Sequence, residues 1–129
     1  MRLLIFLPLI GLSTCESDET VAAYGAAGPT WQLQSLDNTS FSADASLQFE
    51  DGGKISGKGP CNSFSAAQTA PYPWFEVSDL VATSASCPSL EAEGAYFAAL
   101  MAMTQSEVSG NVLILRNDAG HEMLFKAGE

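Results

Sequence analysis

Histidine, cysteine and basic side chains are all scarce in this chain. One histidine (His121), three cysteines and five Lys or Arg residues stand among 129 residues, against 15 Asp or Glu. A single histidine leaves little from which to build a Ser/His/Asp triad, and no Gly-x-Ser-x-Gly pattern marks a nucleophile elbow, so neither a catalytic residue nor a cofactor is expected. Closely spaced cysteine pairs are missing too, which argues against a zinc site assembled from Cys61, Cys87 and His121. A formal charge of −10, with Lys54, Lys58, Arg116 and Lys126 scattered, provides no basic footprint for a phosphate backbone and excludes nucleic acid as a partner. Nor does any apolar run reach the roughly 20 residues that a membrane-spanning helix needs.

What is present first is an export signal. Arg2 precedes the apolar run Leu3 to Ile10, and Gly11-Leu12-Ser13-Thr14-Cys15 follows before acidic residues take over. Residues 1–14 read as a signal peptide. Leu12-Ser13-Thr14-Cys15 is close to a bacterial lipobox, so Cys15 is the expected lipidation site and would tie the protein to a membrane. Cleavage further on, in the small residues Ala23 to Ala27, is the alternative. Both place the domain in the bacterial cell envelope on the periplasmic side, lipid-anchored at the outer membrane in the first case and soluble in the second. Removing residues 1–14 also removes Arg2 and takes the formal charge from −10 to −11. Residues 15–29, acidic and then rich in Ala and Gly, read as the lipidated N-terminus and a flexible tether.

Residues 30–129 have the length and the 47% hydrophobic content of one folded domain. Only Cys61 and Cys87 remain in it, and two thiols in an oxidising compartment are expected to pair. Alternation at Trp31/Leu33, Leu47/Phe49 and Met123/Phe125, together with Ile55, Leu80 to Thr83, Glu107 to Ser109 and the apolar run Val112 to Leu115, predicts strands. Trp74 to Val77 reads as one more. Asp37-Asn38-Thr39, Asp51-Gly52-Gly53, Gly110-Asn111 and Asn117 to Gly120 mark the turns. The segment from about Pro88 to Thr104 predicts the one helix, with Leu90, Phe97, Leu100 and Met101 on its apolar face and Glu91 and Glu93 as solvated charge at its positive end.

These residues, taken in order, resemble the META domain family, that of HslJ-like bacterial heat-shock proteins. The resemblance runs from Trp31 to Phe125. It is carried by Ile55 and Gly57, by the block Gly59-Pro60-Cys61-Asn62-Ser63-Phe64, and by Leu80 to Thr83 with Cys87-Pro88. Glu93, Phe97 and Leu100 follow, then Leu113, Leu115, Gly120 and Phe125. It implies a mostly β (α+β) fold, a small, open, cone-shaped antiparallel β barrel with one amphipathic helix packed on it. It also implies export, a link to stress resistance and envelope maintenance, and no enzymatic activity.

The aromatic cluster Tyr72, Trp74 and Phe75, set between prolines in a long loop, is the best candidate for a recognition surface, together with Asn62 and Phe64 of the first cysteine loop. The competing expectation is that Trp74 or Phe75 caps the barrel as core. Two partners follow from these alternatives: another envelope protein bound on an outer patch, or a small apolar ligand held in the barrel mouth.

Overall fold

The structure is a computed structural model that describes residues 18–128. The expected signal peptide and the lipidation site Cys15 lie outside the described residues.

Nine strands form one antiparallel sheet: β1 (Trp31–Leu36), β2 (Thr39–Ser40), β3 (Ser46–Glu50), β4 (Lys54–Lys58), β5 (Ser63–Ala67), β6 (Ser78–Ala82), β7 (Gln105–Ser109), β8 (Val112–Arg116) and β9 (Glu122–Ala127). Their order is β6-β5-β4-β3-β1-β9-β8-β7, with β2 paired to β1. The sheet curls into a half-barrel, and one helix, α1 (Leu90–Ala102), packs on it. The family resemblance anticipated this class and a helix packed on the sheet.

Period-two alternation explains why these segments are strands. Leu47 and Phe49, Leu113 and Leu115, and Met123 and Phe125 all point inward and are buried, while their even-numbered neighbours are wetter. The expected turns close the hairpins: Asp37 and Asn38 both take positive φ between β1 and β2, and Gly52, Gly53, Gly110 and Gly120 do so in theirs. Gly57 has a different reason. A Cβ there would run into the Ser46 carbonyl oxygen of the paired strand β3, so β3 and β4 approach closely only with glycine at this point.

The helix differs from expectation in its buried face. Leu90 and Met101 are exposed, and the buried residues are Glu93, Tyr96 and Leu100, with Met103 at the C-terminal cap. That spacing of three and four is helical, but the stripe begins with a carboxylate. Tyr96 is its centre. The ring lies within 6.5 Å of Phe64, Phe97 and Phe125, and its hydroxyl donates to the Ser46 carbonyl at 2.7 Å. Burial pushes that phenol above its ordinary pKa, so it stays a donor.

Two further expectations change. Trp74 to Val77 is not a strand: Trp74 makes one isolated bridge to Gln105, and the regular pairing resumes only at Ser78. Pro71 and Pro73, just before it, have no N–H to give a ladder, which suits a crossing loop better than a sheet strand. The segment read as tether is also packed from Thr20 onward. Val21 to Tyr24 forms a 3-10 turn capped by the Thr20 hydroxyl, Val21 and Ala26 are fully buried, and the Trp31 indole donates to the Ala26 carbonyl at 2.8 Å. Its alanines and glycines give no periodic signal, yet the segment packs against β7, where a Cβ at Gly25 would lie 3.7 Å from the Val108 side chain.

Candidate functional site

The two cysteine loops meet against the start of α1. Cys61 and Cys87 are disulfide-bonded, with their Cα atoms 5.8 Å apart, and the bond ties the loop after β4 to the loop before the helix. Beside it, Glu93 reaches across to the first loop. Its Oε2 accepts the backbone N–H groups of Cys61 at 2.9 Å and Asn62 at 2.6 Å, and its Oε1 accepts from Asn62 Nδ2 at 2.7 Å. Asn62 turns its remaining capacity to the other loop. Nδ2 also donates to the Ala85 carbonyl, while Oδ1 accepts from the Thr83 hydroxyl and the Ala85 N–H.

The Asn62 side chain has no spare hydrogen-bonding capacity. Asn62 uses both amide hydrogens and both lone pairs of its carbonyl on protein groups. Glu93 is buried, and burial pushes its pKa up, but the Asn62 amide and the N–H groups of Cys61 and Asn62 outweigh that and hold it below the ordinary carboxylate value. Glu93 is thus an internal charge solvated by N–H donors, and the expectation of a solvated surface charge is corrected. The tight fit shows at Gly59, where a Cβ would sit 2.6 Å from Glu93 Oε2.

Of the five residues expected to form a binding surface, three are interior. Asn62 is consumed as described. Phe64 packs edge-on against Tyr96 and Phe97, and Phe75 packs edge-on against Phe49, so both belong to the core. The competing expectation, that an aromatic of the Pro-rich loop caps the barrel, holds for Phe75. Trp74 is 55% exposed, and Tyr72 is half-buried with its ring stacked on Tyr24 at 4.6 Å.

That aromatic loop is held at both ends. The buried Gln68 side chain accepts from the N–H groups of Ala70 and Glu76, Phe75 N–H donates to the Thr104 carbonyl, and Ser106 N–H donates to the Pro73 carbonyl. Because Phe75 plugs the core, the loop crosses to the free edge of β7 and covers it with Trp74 opposite Gln105. Sequence reasoning missed Gln68 and Tyr24. A glutamine between a strand and a Pro-rich loop carries no signal of its own role, and Tyr24 sat in a segment without pattern.

His121 lies on the surface. Its Nδ1 is 2.9 Å from Asp37 Oδ2, while Asp37 Oδ1 accepts the Glu122 N–H. Those contacts, the backbone one first, lower the Asp37 pKa. The arrangement closes the β1–β2 turn against β9, and among the described residues no nucleophilic hydroxyl is hydrogen-bonded to the ring. Among the described residues no group of three or more His, Cys, Asp or Glu side chains is placed to hold a metal ion.

A family model, that of the META domain, matches residues 26–129, which contain both cysteine loops, α1 and all nine strands. The chain belongs to the META domain family. No curated protein sequence matches it. Two solved structures share the fold of this META domain at low identity. An NMR structure of a protein from Burkholderia xenovorans is 20% identical with a TM-score of 0.68, and the match covers 95% of this chain and 99% of that one. The crystal structure of a DUF4847 family protein from Bacteroides vulgatus is 13% identical, also with a TM-score of 0.68, covering 84% and 97%.

Proposed function

We propose that this META domain protein is a non-enzymatic lipoprotein of the bacterial cell envelope that serves stress resistance or envelope maintenance by binding a partner on its outer surface. The observation that carries this reading is the inward consumption of the distinctive polar groups. The Asn62 side chain, the Glu93 carboxylate and the N–H groups of Cys61 and Asn62 bond to one another and to Thr83 and Ala85, while the aromatic side chains left in solvent, Tyr24 and Trp74, lie outside the core. Surface contact, rather than chemistry in a cleft, is what such a distribution favours. A carrier of a small apolar ligand has less support, because Trp31, Leu47, Tyr96, Leu113 and Phe125 fill the interior it would need.

The packing of residues 20–26 supports processing at Cys15 over processing at Ala23 to Ala27. A cut in the latter stretch would strip Val21 and Ala22 from the core, whereas a cut before Cys15 keeps both. Palmitate labelling tests the anchor. Cys15→Ala is expected to abolish labelling and leave unprocessed precursor, and a mature N-terminus beyond Ala23 would contradict it. Crosslinking in the native envelope, read by mass spectrometry, tests for the partner. For the non-enzymatic part, His121→Ala is expected to restore fully whatever stress phenotype a deletion strain shows.

A further inference from the structure

Three aromatic side chains line the outer edge of β7. Trp74 stands opposite Gln105 at one end, the Tyr72 hydroxyl accepts the Val108 N–H at 3.4 Å near the other, and Tyr24 stacks on Tyr72. Gln105 and Val108 are three residues apart, so the row extends for about 10 Å. The row is fixed rather than loose. Gln68, Phe75 and the Pro73 carbonyl pin the loop, and the 3-10 turn that carries Tyr24 is anchored by buried Val21.

The chain's route toward Cys15 passes directly beside this row. Tyr72 N–H donates to the Glu19 carbonyl at 2.7 Å, and Glu19 is four residues after Cys15. Four residues of fully extended chain reach at most about 14 Å. A lipid on Cys15 would thus hold the Tyr72 backbone, and this edge with it, within about that distance of the membrane surface.

We propose that Tyr24, Tyr72 and Trp74 form an interfacial ledge that rests among the lipid headgroups of the membrane in which Cys15 is anchored; this assignment rests on the lipid-anchor reading above. Tyrosine and tryptophan suit that depth because each joins an apolar ring to a polar tip. Being already ordered, the ledge loses little side-chain freedom on contact. Charge selects the lipid. The chain processed at Cys15 carries a formal −11, and Asp18 and Glu19 lie beside the ledge, so zwitterionic headgroups such as phosphatidylethanolamine are favoured over anionic ones.

The test uses the full processed protein in vesicles of phosphatidylethanolamine and phosphatidylcholine that carry a nitroxide at a shallow acyl position. The chain has two tryptophans, and Trp31 is fully buried, so Trp74 supplies the component of emission that responds to surroundings. That component should fall roughly two-fold with the nitroxide lipid and become resistant to aqueous iodide, and both effects should vanish in Trp74→Phe. The mass of the N-terminal peptide is read from the same sample. A diacylglyceryl Cys15 with Trp74 still open to iodide would overturn the ledge while leaving the anchor intact. An unmodified Cys15 would remove the anchor reading and the ledge with it. Protection of Trp74 in native envelopes but not in pure lipid vesicles would assign this edge to a protein partner and overturn the lipid assignment.

Discussion

Glu93 and Asn62 hold each other in a two-point contact: the carboxylate accepts both the side-chain amide and the backbone N–H of a residue 31 positions earlier in the chain. Around that pair the Gly-Pro-Cys-Asn loop, the Thr83 to Cys87 loop and the first turn of α1 become one unit. The disulfide cross-links the unit covalently. The polar groups that make these loops look like a site are spent holding them together.

The pair makes stability depend on acid. Glu93 has a folded pKa below the ordinary carboxylate value of 4.5, so its contribution is fully present above that value and is lost as the pH falls below it toward the folded pKa. Urea midpoints measured between pH 7 and pH 3 should decline, and Glu93→Gln should flatten the steepest part of that decline. At pH 7 the same variant should lose about 1–3 kcal/mol, because an amide nitrogen now faces N–H donors. An unchanged pH profile in the variant would mean that the carboxylate is not held as described.

Gly59→Ala probes the same contact from outside. Its new Cβ would meet Glu93 Oε2 at 2.6 Å, so the carboxylate must retreat from the Cys61 and Asn62 N–H groups. The expected loss is about 1–3 kcal/mol, whereas Gly94→Ala, with open space around its Cβ and a helical setting, should be neutral or stabilising by up to about 1 kcal/mol. Chemical denaturation of the two variants side by side checks this.

Reduction of the disulfide, or its replacement by Cys61→Ser with Cys87→Ser, should destabilise the domain by about 3.5 kcal/mol on the chain-entropy model for a separation of 26. Hydrogen exchange should quicken most at Asn62, Thr83 and Ala85. The β8–β9 hairpin lies outside the ring and should respond less. Two free thiols in protein isolated under alkylating conditions would contradict the bond.

The helix face gives a fourth expectation. Leu100→Ala should cost about 2–5 kcal/mol, since Leu100 is fully buried, while Leu90→Ala and Met101→Ala should cost less than about 1 kcal/mol each. Thermal melts of the three variants rank them directly. Equal losses would place the helix in another rotation.

Strands and turns were legible because they are local. Period-two burial at Leu47/Phe49 and Met123/Phe125 and the glycines at Gly52-Gly53 and Gly110 need no knowledge of the rest of the chain. The helix face was harder. Ala92, Ala95, Ala98, Ala99 and Ala102 make α1 apolar nearly all round, so nothing in its pattern favours Tyr96 over Leu90 as the core residue. Glu93 could not be read at all. An acid in a first helical turn ordinarily complements the dipole, and its burial depends on N–H groups of a loop 31 and 32 residues away. Asn62 and Phe64 were singled out with the right neighbours but for the wrong role, because a motif looks alike whether it grips a ligand or its own helix.

A double-mutant cycle on Asn62→Ala and Glu93→Gln tests most directly the claim that this motif is a structural lock. Unfolding free energies of the wild type, the two single variants and the double variant yield the coupling between the side chains. The lock predicts that each single variant is destabilised and that the pair is coupled by about 1–3 kcal/mol, since removing either partner strands the other in a buried place. Losses that add within about 0.5 kcal/mol, with Asn62→Ala near wild-type stability, would show that these polar groups are free for a ligand and would contradict it.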